Sequence, residues 1–381
     1  MQKIAINATY KAGGGQIPQL VNFIKYFSDQ SGRFICIIYI TKHNLYLLDG
    51  IKIKKNTKVV ISRIADISTF IRILWEQFIL PIILFLDKID ILFSPGNISP
   101  IFTNVKKIQW IGTIGPFWNK MYELEIPIEK MKFKFNKIFI YITAQYADAV
   151  IFESNFTRDL FVKHYNIKPN KSHVIKAGRD NYFFPNINEQ ILNKYNIYND
   201  FILCVSHLYP YKNIIRLIEA YSIAREELLI ETTLVIAGSS YSKEYDKYIS
   251  DKVENLGIGE YVNFVGNVNR KDLRTFYSAC HFLVFPSPCE NFAYTLAEAM
   301  SCGSPIISSN TTAMPETCED AAIYFNPYDL NQISEKLILV ANDNKLRNLL
   351  QKRALKRVKK LKDYKQVSMK TIEIMESTIN P

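Results

Sequence analysis

Two glutamates, Glu290 and Glu298, stand eight positions apart around the stretch Asn291-Phe292-Ala293-Tyr294-Thr295-Leu296-Ala297. Carboxylates accept hydrogen bonds from paired donors and stabilise positive charge that develops beside them. A lysine, Lys212, closes the segment Ser206-His207-Leu208-Tyr209-Pro210-Tyr211-Lys212. A lysine in a strand-to-helix loop is well placed to hold a diphosphate, with the helix N-terminus assisting. His207 shares that loop and carries full charge only below about pH 6.5, so it is either a weak second cation or an ordinary loop side chain. Exposed helices routinely carry two glutamates at this spacing, so the pair alone also fits a solvated helix face.

The elements that must position these groups alternate along the chain. Phe282-Leu283-Val284-Phe285 reads as a buried strand stopped by Pro286 and Pro288. A helical pattern begins at Tyr294, and Gly303 followed by Pro305 ends it before a second apolar run, Pro305–Ser308. Glu290 then falls outside the carboxyl end of a strand, where open α/β sheets bind ligands. Eight residues make just over two helical turns, so both carboxylates can face one cleft. Upstream, Phe201–Val205, Thr233–Ala237 and Val262–Gly266 read as strands, with helices from Asn213 to about Arg225 and from Lys271 to Ala279. The first half repeats the alternation: strands at Lys3–Asn7, Phe34–Ile40, Val59–Ser62, Asp90–Phe93, Lys106–Ile111 and Ala149–Phe152, and helices at Gln16–Gln30, Thr69–Asp87 and from Ser154 to Tyr165. Such alternation predicts parallel sheets covered by helices on both faces. Gly13, Gly14 and Gly15 follow the first strand, where glycines let backbone N–H groups approach a ligand or simply make a tight turn. Their spacing is not G-x-G-x-x-G, so a dinucleotide fingerprint is not supported.

The run from Phe285 to Gly303, continued by Ser304-Pro305-Ile306-Ile307, Pro315-Glu316-Thr317 and Asp320-Ala321-Ala322, resembles the E-x7-E motif of retaining glycosyltransferases of family 4. Ala147–Phe152, Ser154-Asn155-Phe156-Thr157 and Gly178-Arg179-Asp180 resemble the same family more loosely. The resemblance implies an α/β GT-B fold: two Rossmann-like, doubly wound parallel-sheet domains facing a central cleft. Residues 1–182 would be the acceptor-binding domain, completed by a C-terminal helix at 365–381, and residues 183–364 the domain that binds the nucleotide-sugar donor. It further implies that Glu298 receives the donor ribose hydroxyls, that Lys212 (with His207) neutralises the diphosphate, and that Glu290 holds the donor sugar at its anomeric centre. Backbone groups of Phe292, Ala293, Tyr294 and Thr295 would lie at the phosphates, and Gly13, Gly14 and Gly15 would border the cleft on the acceptor side. No cofactor and no metal are expected. Three positions depart from the family: His207 for an arginine or lysine, Ala293 for a glycine, and Gly112 and Thr113 where many relatives carry a histidine. The implied reaction moves a sugar from a nucleotide-sugar to a hydroxyl of a glycan or lipid-linked acceptor in bacterial surface polysaccharide assembly. A basic nucleic-acid-binding module, or another GT-B enzyme such as a nucleotide-sugar epimerase, is the alternative.

Composition fits two folded domains: 381 residues, 48% hydrophobic and 22% charged. A net charge of +11 favours anionic partners, whether nucleotide-sugar phosphates, nucleic acid or an acidic membrane. No recognition motif for nucleic acid accompanies it, and none is expected as a partner. The basic segment Lys345–Lys362 carries Leu and Val at helical spacing and predicts an amphipathic surface helix. Six cysteines without C-x-x-C spacing predict reduced, buried thiols. The sequence enters its first strand at Lys3, which predicts no signal peptide, and the apolar run Phe78–Leu86 is too short to span a bilayer. A cytoplasmic protein is expected. Between Glu129 and Phe139 lysines interleave with Phe and Met, which predicts a helix that buries Phe135, Ile138 and Phe139. It would then turn Lys130, Lys134 and Lys137 outward, either to solvent or to anionic lipid as a peripheral membrane contact.

Overall fold

The computed structural model describes residues 1–11, 16–29, 33–121, 127–228 and 232–380. The chain divides into two compact units, Met1–Phe117 with Pro127–Gly178 and Lys362–Pro381, and Trp118–Ile126 with Arg179–Leu361.

The first unit is built on a parallel sheet of seven strands: β1 (Gln2–Ala8), β2 (Phe34–Ile40), β3 (Thr57–Ile61), β4 (Ile91–Ser94), β5 (Lys106–Ile111), β6 (Ala149–Phe152) and β7 (Ser172–Val174). Their order is β3-β2-β1-β4-β5-β6-β7. Strands covered on both faces need apolar residues at every position, which is why β2 reads Phe-Ile-Cys-Ile-Ile-Tyr-Ile without alternation. On one face, Leu20, Phe23 and Phe27 of the helix Gln16–Asp29 pack with Val367, Ile372 and Met375 of the helix Tyr364–Ile379 against Ile4, Ile6 and Ile38. On the other, the stretch Thr69–Leu86 sets Trp75, Leu80 and Leu84 against Tyr39 and Leu92. Beside it, Ile140 and Ala144 of the helix Pro127–Tyr146 pack on Ile111, Val150 and Phe152, and Ile73 joins this cluster from Thr69–Leu86.

Two sequence expectations fail in this layer. Phe135 and Ile138 are exposed, and the helix Pro127–Tyr146 instead buries Ile140, Thr143 and Ala144 against the sheet. Phe78–Leu86 is not an isolated short run. It continues Thr69–Leu74 and a π-helical turn at Trp75–Ile79, because Pro81 sits in the first turn of the final segment, where no N–H bond is lost. The whole stretch is 18 residues with a mean hydropathy of 1.7, long and apolar enough to cross a bilayer by length and composition, and 44% of it is buried within the protein.

The second unit carries β8 (Phe201–Val205), β9 (Thr233–Ala237), β10 (Val262–Gly266), β11 (Phe282–Phe285), β12 (Ile306–Ser309) and β13 (Ala322–Phe325), all parallel in the order β10-β9-β8-β11-β12-β13. The chain builds outward from β8 to β10, then returns to lay β11 against the opposite edge of β8. The loops after β8 and β11 therefore diverge at the point where the strand order reverses. The basic segment forms the helix Asn344–Val358, which buries Leu350, Ala354 and Val358. Arg357 is buried as well, donating to the carbonyls of Thr317 and Glu316 at 2.9 and 3.0 Å. All six cysteines are buried free thiols.

Candidate active site

The sheet of the second unit brings the loops bearing Lys212 and Glu290 together at its reversal point. Lys212 ends a short 3-10 turn, Pro210–Lys212, after β8, and Glu290 follows the two prolines that stop β11. Lys212 Nζ donates to Glu290 Oε1 at 2.5 Å, with the two side chains only 14% and 17% exposed. The same ammonium lies 4.8 Å from the ring centroid of Tyr211. Burial opposes its charge, but Glu290 and Tyr211 outweigh that penalty and hold its pKa above the ordinary lysine range. A strongly charged, half-sheltered cation thus sits beside a carboxylate across the two diverging loops.

Asn213, which the sequence reading passed over, locks these loops. It adopts the left-handed conformation (φ +65°) that starts the helix Ile214–Ala224. From there its Nδ2 donates to the carbonyls of Pro286 and Pro327 at 3.2 and 2.8 Å. Asparagine tolerates this backbone region better than most residues, and its short amide reaches groups that a turn leaves unpaired. The Glu290 loop is fixed from the other side too. Glu290 N–H donates to Thr312 Oγ1 at 3.0 Å, Thr311 Oγ1 to Pro288 O at 2.7 Å and Ser309 Oγ to Ser287 O at 2.6 Å. These hydroxyls end β12 or follow it, so the Ser-Ser-Asn-Thr-Thr sequence at 308–312 was the available signal.

Glu298 lies on the helix Tyr294–Cys302, which Gly303 ends in the left-handed conformation (φ +79°). The helix starts after Ala293, whose methyl side chain cannot cap its N–H groups. Phe292 and Ala293 are buried, while Tyr294 and Thr295 are half-buried. Glu298 does not join the Lys212–Glu290 pair. Its Oε2 accepts from the Tyr277 hydroxyl at 3.0 Å. Burial pushes its pKa up to about 7, against the opposing pull of Tyr277 and Arg270. Arg270 is itself paired with Asp180 and stacked 4.9 Å from the Tyr182 ring centroid.

His207 is held by a 2.5 Å hydrogen bond between its Nδ1 and Ser239 Oγ. Desolvation of the ring and the nearby Lys212 ammonium both push its pKa below the ordinary histidine value. At neutral pH it is therefore uncharged, and Lys212 is the cation of this loop. Close by, Gly238 allows β8's outgoing loop to pass, since a Cβ there would stand 1.8 Å from Ser206 O. A cavity of about 240 Å³ opens beside it, lined among others by Leu208, Ile236, Ser240 and Phe264.

In the first unit, Gly13, Gly14 and Gly15 lie outside the described residues. Gly112, at the end of β5, donates its N–H to Asn97 Oδ1 at 2.7 Å and accepts from Gln16 Nε2 at 3.3 Å. Thr113 next to it is half-buried.

Residues 188–357 match the family model described as glycosyl transferases group 1. O-antigen chain mannosyltransferase B of Escherichia coli is 27% identical over 217 residues, covering 56% of this chain and 56% of that protein. The serotype-specific mannosyltransferase WbdA of Escherichia coli is 32% identical over 146 residues, covering 38% of this chain and 18% of that protein. The chain thus spans about half the length of the first of these relatives and less than a fifth of the second. Among solved structures, Anabaena Alr3699/HepE in complex with UDP and glucose superposes with a TM-score of 0.77 at 17% identity, over 99% of this chain and 100% of that one. The whole-chain likeness establishes a GT-B fold of two Rossmann-like units, and residues 188–357, which carry Lys212, Glu290 and Glu298, match the model of glycosyl transferases group 1 over less than half of the chain.

Proposed function

We propose that the protein is a retaining glycosyltransferase that moves a hexose from a nucleoside diphosphate sugar to a hydroxyl of a glycan or lipid-linked acceptor, in the assembly of a bacterial surface polysaccharide. The observation that carries this reading is the Lys212–Glu290 pair at the strand-order reversal of the second unit, followed by a desolvated Glu298 eight residues on. The names of the relatives, O-antigen and serotype-specific mannosyltransferases, support a hexose and a surface glycan. The neighbour holding UDP and glucose supports a nucleotide-sugar donor.

On this reading the bond between the anomeric carbon and the diphosphate oxygen breaks, and its electron pair leaves with the phosphate. Lys212 Nζ donates one hydrogen bond to Glu290 and is also bonded to Tyr211, and its remaining donor capacity and charge face the phosphate oxygens. The N-terminus of the helix Ile214–Ala224 and backbone N–H groups around Phe292–Thr295 add dipoles aimed at the same charge. Glu290 holds the sugar and faces the positive charge that develops on its anomeric carbon. The acceptor oxygen bonds to that carbon from the side the phosphate leaves, which retains configuration, and its proton passes to the departing phosphate. Glu298 accepts the ribose hydroxyls. Among the described residues no group of three His, Cys, Asp or Glu side chains is arranged to ligate a metal. We assign the leaving group to Lys212 and the backbone on the strength of the Lys212–Glu290 geometry. The first unit, with the Gly13–Gly15 loop, serves the acceptor, and the reaction takes place in the cytoplasm.

The test is a panel of nucleotide-sugars screened by thermal shift, followed by NMR of the glycoside formed from the best donor. A product with the donor's anomeric configuration supports the reading, and an inverted product removes it. An epimerase would change the sugar with no acceptor present. A nucleic-acid module would bind oligonucleotides with a steep salt slope.

A further inference from the structure

The helical stretch Thr69–Leu86 in the first unit is built inside out. Its only charged residues, Arg72 and Glu76, are buried, at 9% and 1% exposure. They form an ion pair of 2.7 Å whose carboxylate oxygen also accepts from Asn7 Nδ2 and Thr9 Oγ1. Gln77 is buried beside them, bonded to Ser99 O and to the N–H of Ile101. The outward face carries Phe70, Leu74, Phe78, Ile82, Phe85 and Leu86, with Phe85 79% and Phe78 58% exposed. The spacing from Phe70 to Phe85 makes this stripe roughly 23 Å long at the helical rise. Phe102 extends it by stacking on Phe78, with ring centroids 5.9 Å apart. An open groove of about 710 Å³ adjoins the stripe, with Ile82, Phe85, Ile101 and Phe102 on its apolar side and Asp90 and Lys106, the latter paired with Asp148, on its polar side.

A water-facing helix turns its charges out, and contiguous apolar surface of this extent marks an interaction site. The neighbouring helix on the same sheet face says what covers it. Pro127–Tyr146 turns Met131, Phe135, Ile138 and Ile142 outward. From residue 130 to 146 it carries lysines at 130, 132, 134 and 137 and no acidic residue. Aromatic and aliphatic side chains flanked by lysines complement an anionic bilayer, whose acyl region takes the former and whose headgroups the latter. A second copy of the chain would present the same lysines to one another.

We propose that this face of the first unit seats the protein in the surface of an anionic phospholipid bilayer. Phe78, Ile82, Phe85 and Phe102 enter the acyl boundary, and the lysines of Pro127–Tyr146 contact the headgroups. The proposal stands apart from the transfer reaction, since none of these residues belongs to the Lys212–Glu290 site.

The test uses the full chain and vesicles of phosphatidylcholine alone or mixed with phosphatidylglycerol. The wild type should co-sediment with the mixed vesicles and be partly released by salt. The double variant Phe78→Glu/Phe85→Glu should lose roughly tenfold or more of its partitioning, as expected for withdrawing two large apolar side chains. Its circular dichroism melt should match the wild type, because both side chains are exposed. In Phe85→Trp, tryptophan emission should shift to the blue on mixed vesicles and be quenched by brominated acyl chains. Unchanged partitioning of the double variant, or an unquenched Trp, overturns the proposal. So does a dimer in sedimentation equilibrium that the double variant dissociates without any effect of lipid, which would assign the face to a second copy.

Discussion

Glu298 combines a buried carboxyl with a single hydroxyl partner, Tyr277, and its pKa of about 7 lies above the 4.5 of a free glutamate. A group that holds its proton longer in the folded state stabilises the fold fully below the unfolded value and loses that contribution as pH rises through the folded one. Unfolding temperature should therefore fall between about pH 4.5 and 7 by an increment that Glu298→Gln removes, as a pH series of thermal melts will show. Ribose hydroxyls prefer the ionised carboxylate, so donor binding should release a proton near pH 7 and tighten from pH 6 to 8. Calorimetry in two buffers of different ionisation enthalpy measures this. Glu298→Ala should weaken donor binding by about 1.5–3 kcal/mol, the scale for hydrogen bonds to charged groups. Glu290→Gln should spare donor binding but cut turnover about 10²-fold or more. Lys212→Ala should lower turnover and affinity for diphosphate donors while leaving the bare nucleoside nearly unaffected. With Lys212 and backbone N–H groups as the stabilising set, transfer should survive excess chelator; loss of activity restored by a divalent ion would overturn that assignment. Lys212, Glu290 and Glu298 were singled out by the family resemblance and not by spacing alone, which a solvated helix face also gives. Asn213, Tyr277 and Thr312 were not, since their roles exist only through partners 114, 21 and 22 positions away.

The strand-to-helix junction at Asn213 shows how one residue holds two elements in register. Asn213→Gly keeps the left-handed backbone but removes the donor to the Pro286 carbonyl and the shorter of two to the Pro327 carbonyl, which keeps Arg216 at 3.5 Å, at a cost of about 1–3 kcal/mol. Asn213→Ala should cost about 1–2 kcal/mol more, because a Cβ strains that conformation. Denaturant unfolding of the two variants against the wild type gives both numbers, and turnover should fall in each as the two loops lose their tie. Most elements of this kind could be read in advance. Parallel strands buried on both faces leave unbroken apolar runs, and Gly303 and Ser154 mark helix ends by their chemistry, Ser154 Oγ indeed accepting from Thr157 N–H at 3.2 Å. The orientation of Pro127–Tyr146 could not. That helix has two apolar stripes, one through Phe135, Ile138 and Ile142 and one through Ile140 and Ala144, and periodicity does not say which meets the sheet. Nor does periodicity show that Glu76 of Thr69–Leu86 points inward, since its partners Asn7 and Thr9 lie on β1 and its outgoing loop, 69 and 67 positions away.

At the scale of the molecule, alternation of strands and helices was enough to predict parallel sheets, but the strand orders came only with the structure, because periodicity carries no information on adjacency. The chain leaves the first unit at Gly178 and returns at Lys362. The helix Tyr364–Ile379 then inserts Val367, Ile372, Ile374 and Met375 into the first unit's core, with Val367 and Met375 almost fully buried. Truncation after Leu361 should strip protection from β1, β2 and β4 in amide hydrogen exchange and leave β8, β9 and β11 protected, because the missing contacts all belong to the first unit. Equal loss in both sheets would mean that the two units do not unfold separately. The returning helix also sets an order of events on the ribosome. The 183 residues from Arg179 to Leu361 are translated between the first unit's strands and the helix that closes them. At ordinary bacterial and eukaryotic rates of synthesis this interval is roughly 10–40 s. The second unit can fold while the older half of the nascent chain still waits, with Ile4, Ile6 and Phe27 uncovered on one side of its sheet. Chaperone demand should therefore fall on the half of the protein made first.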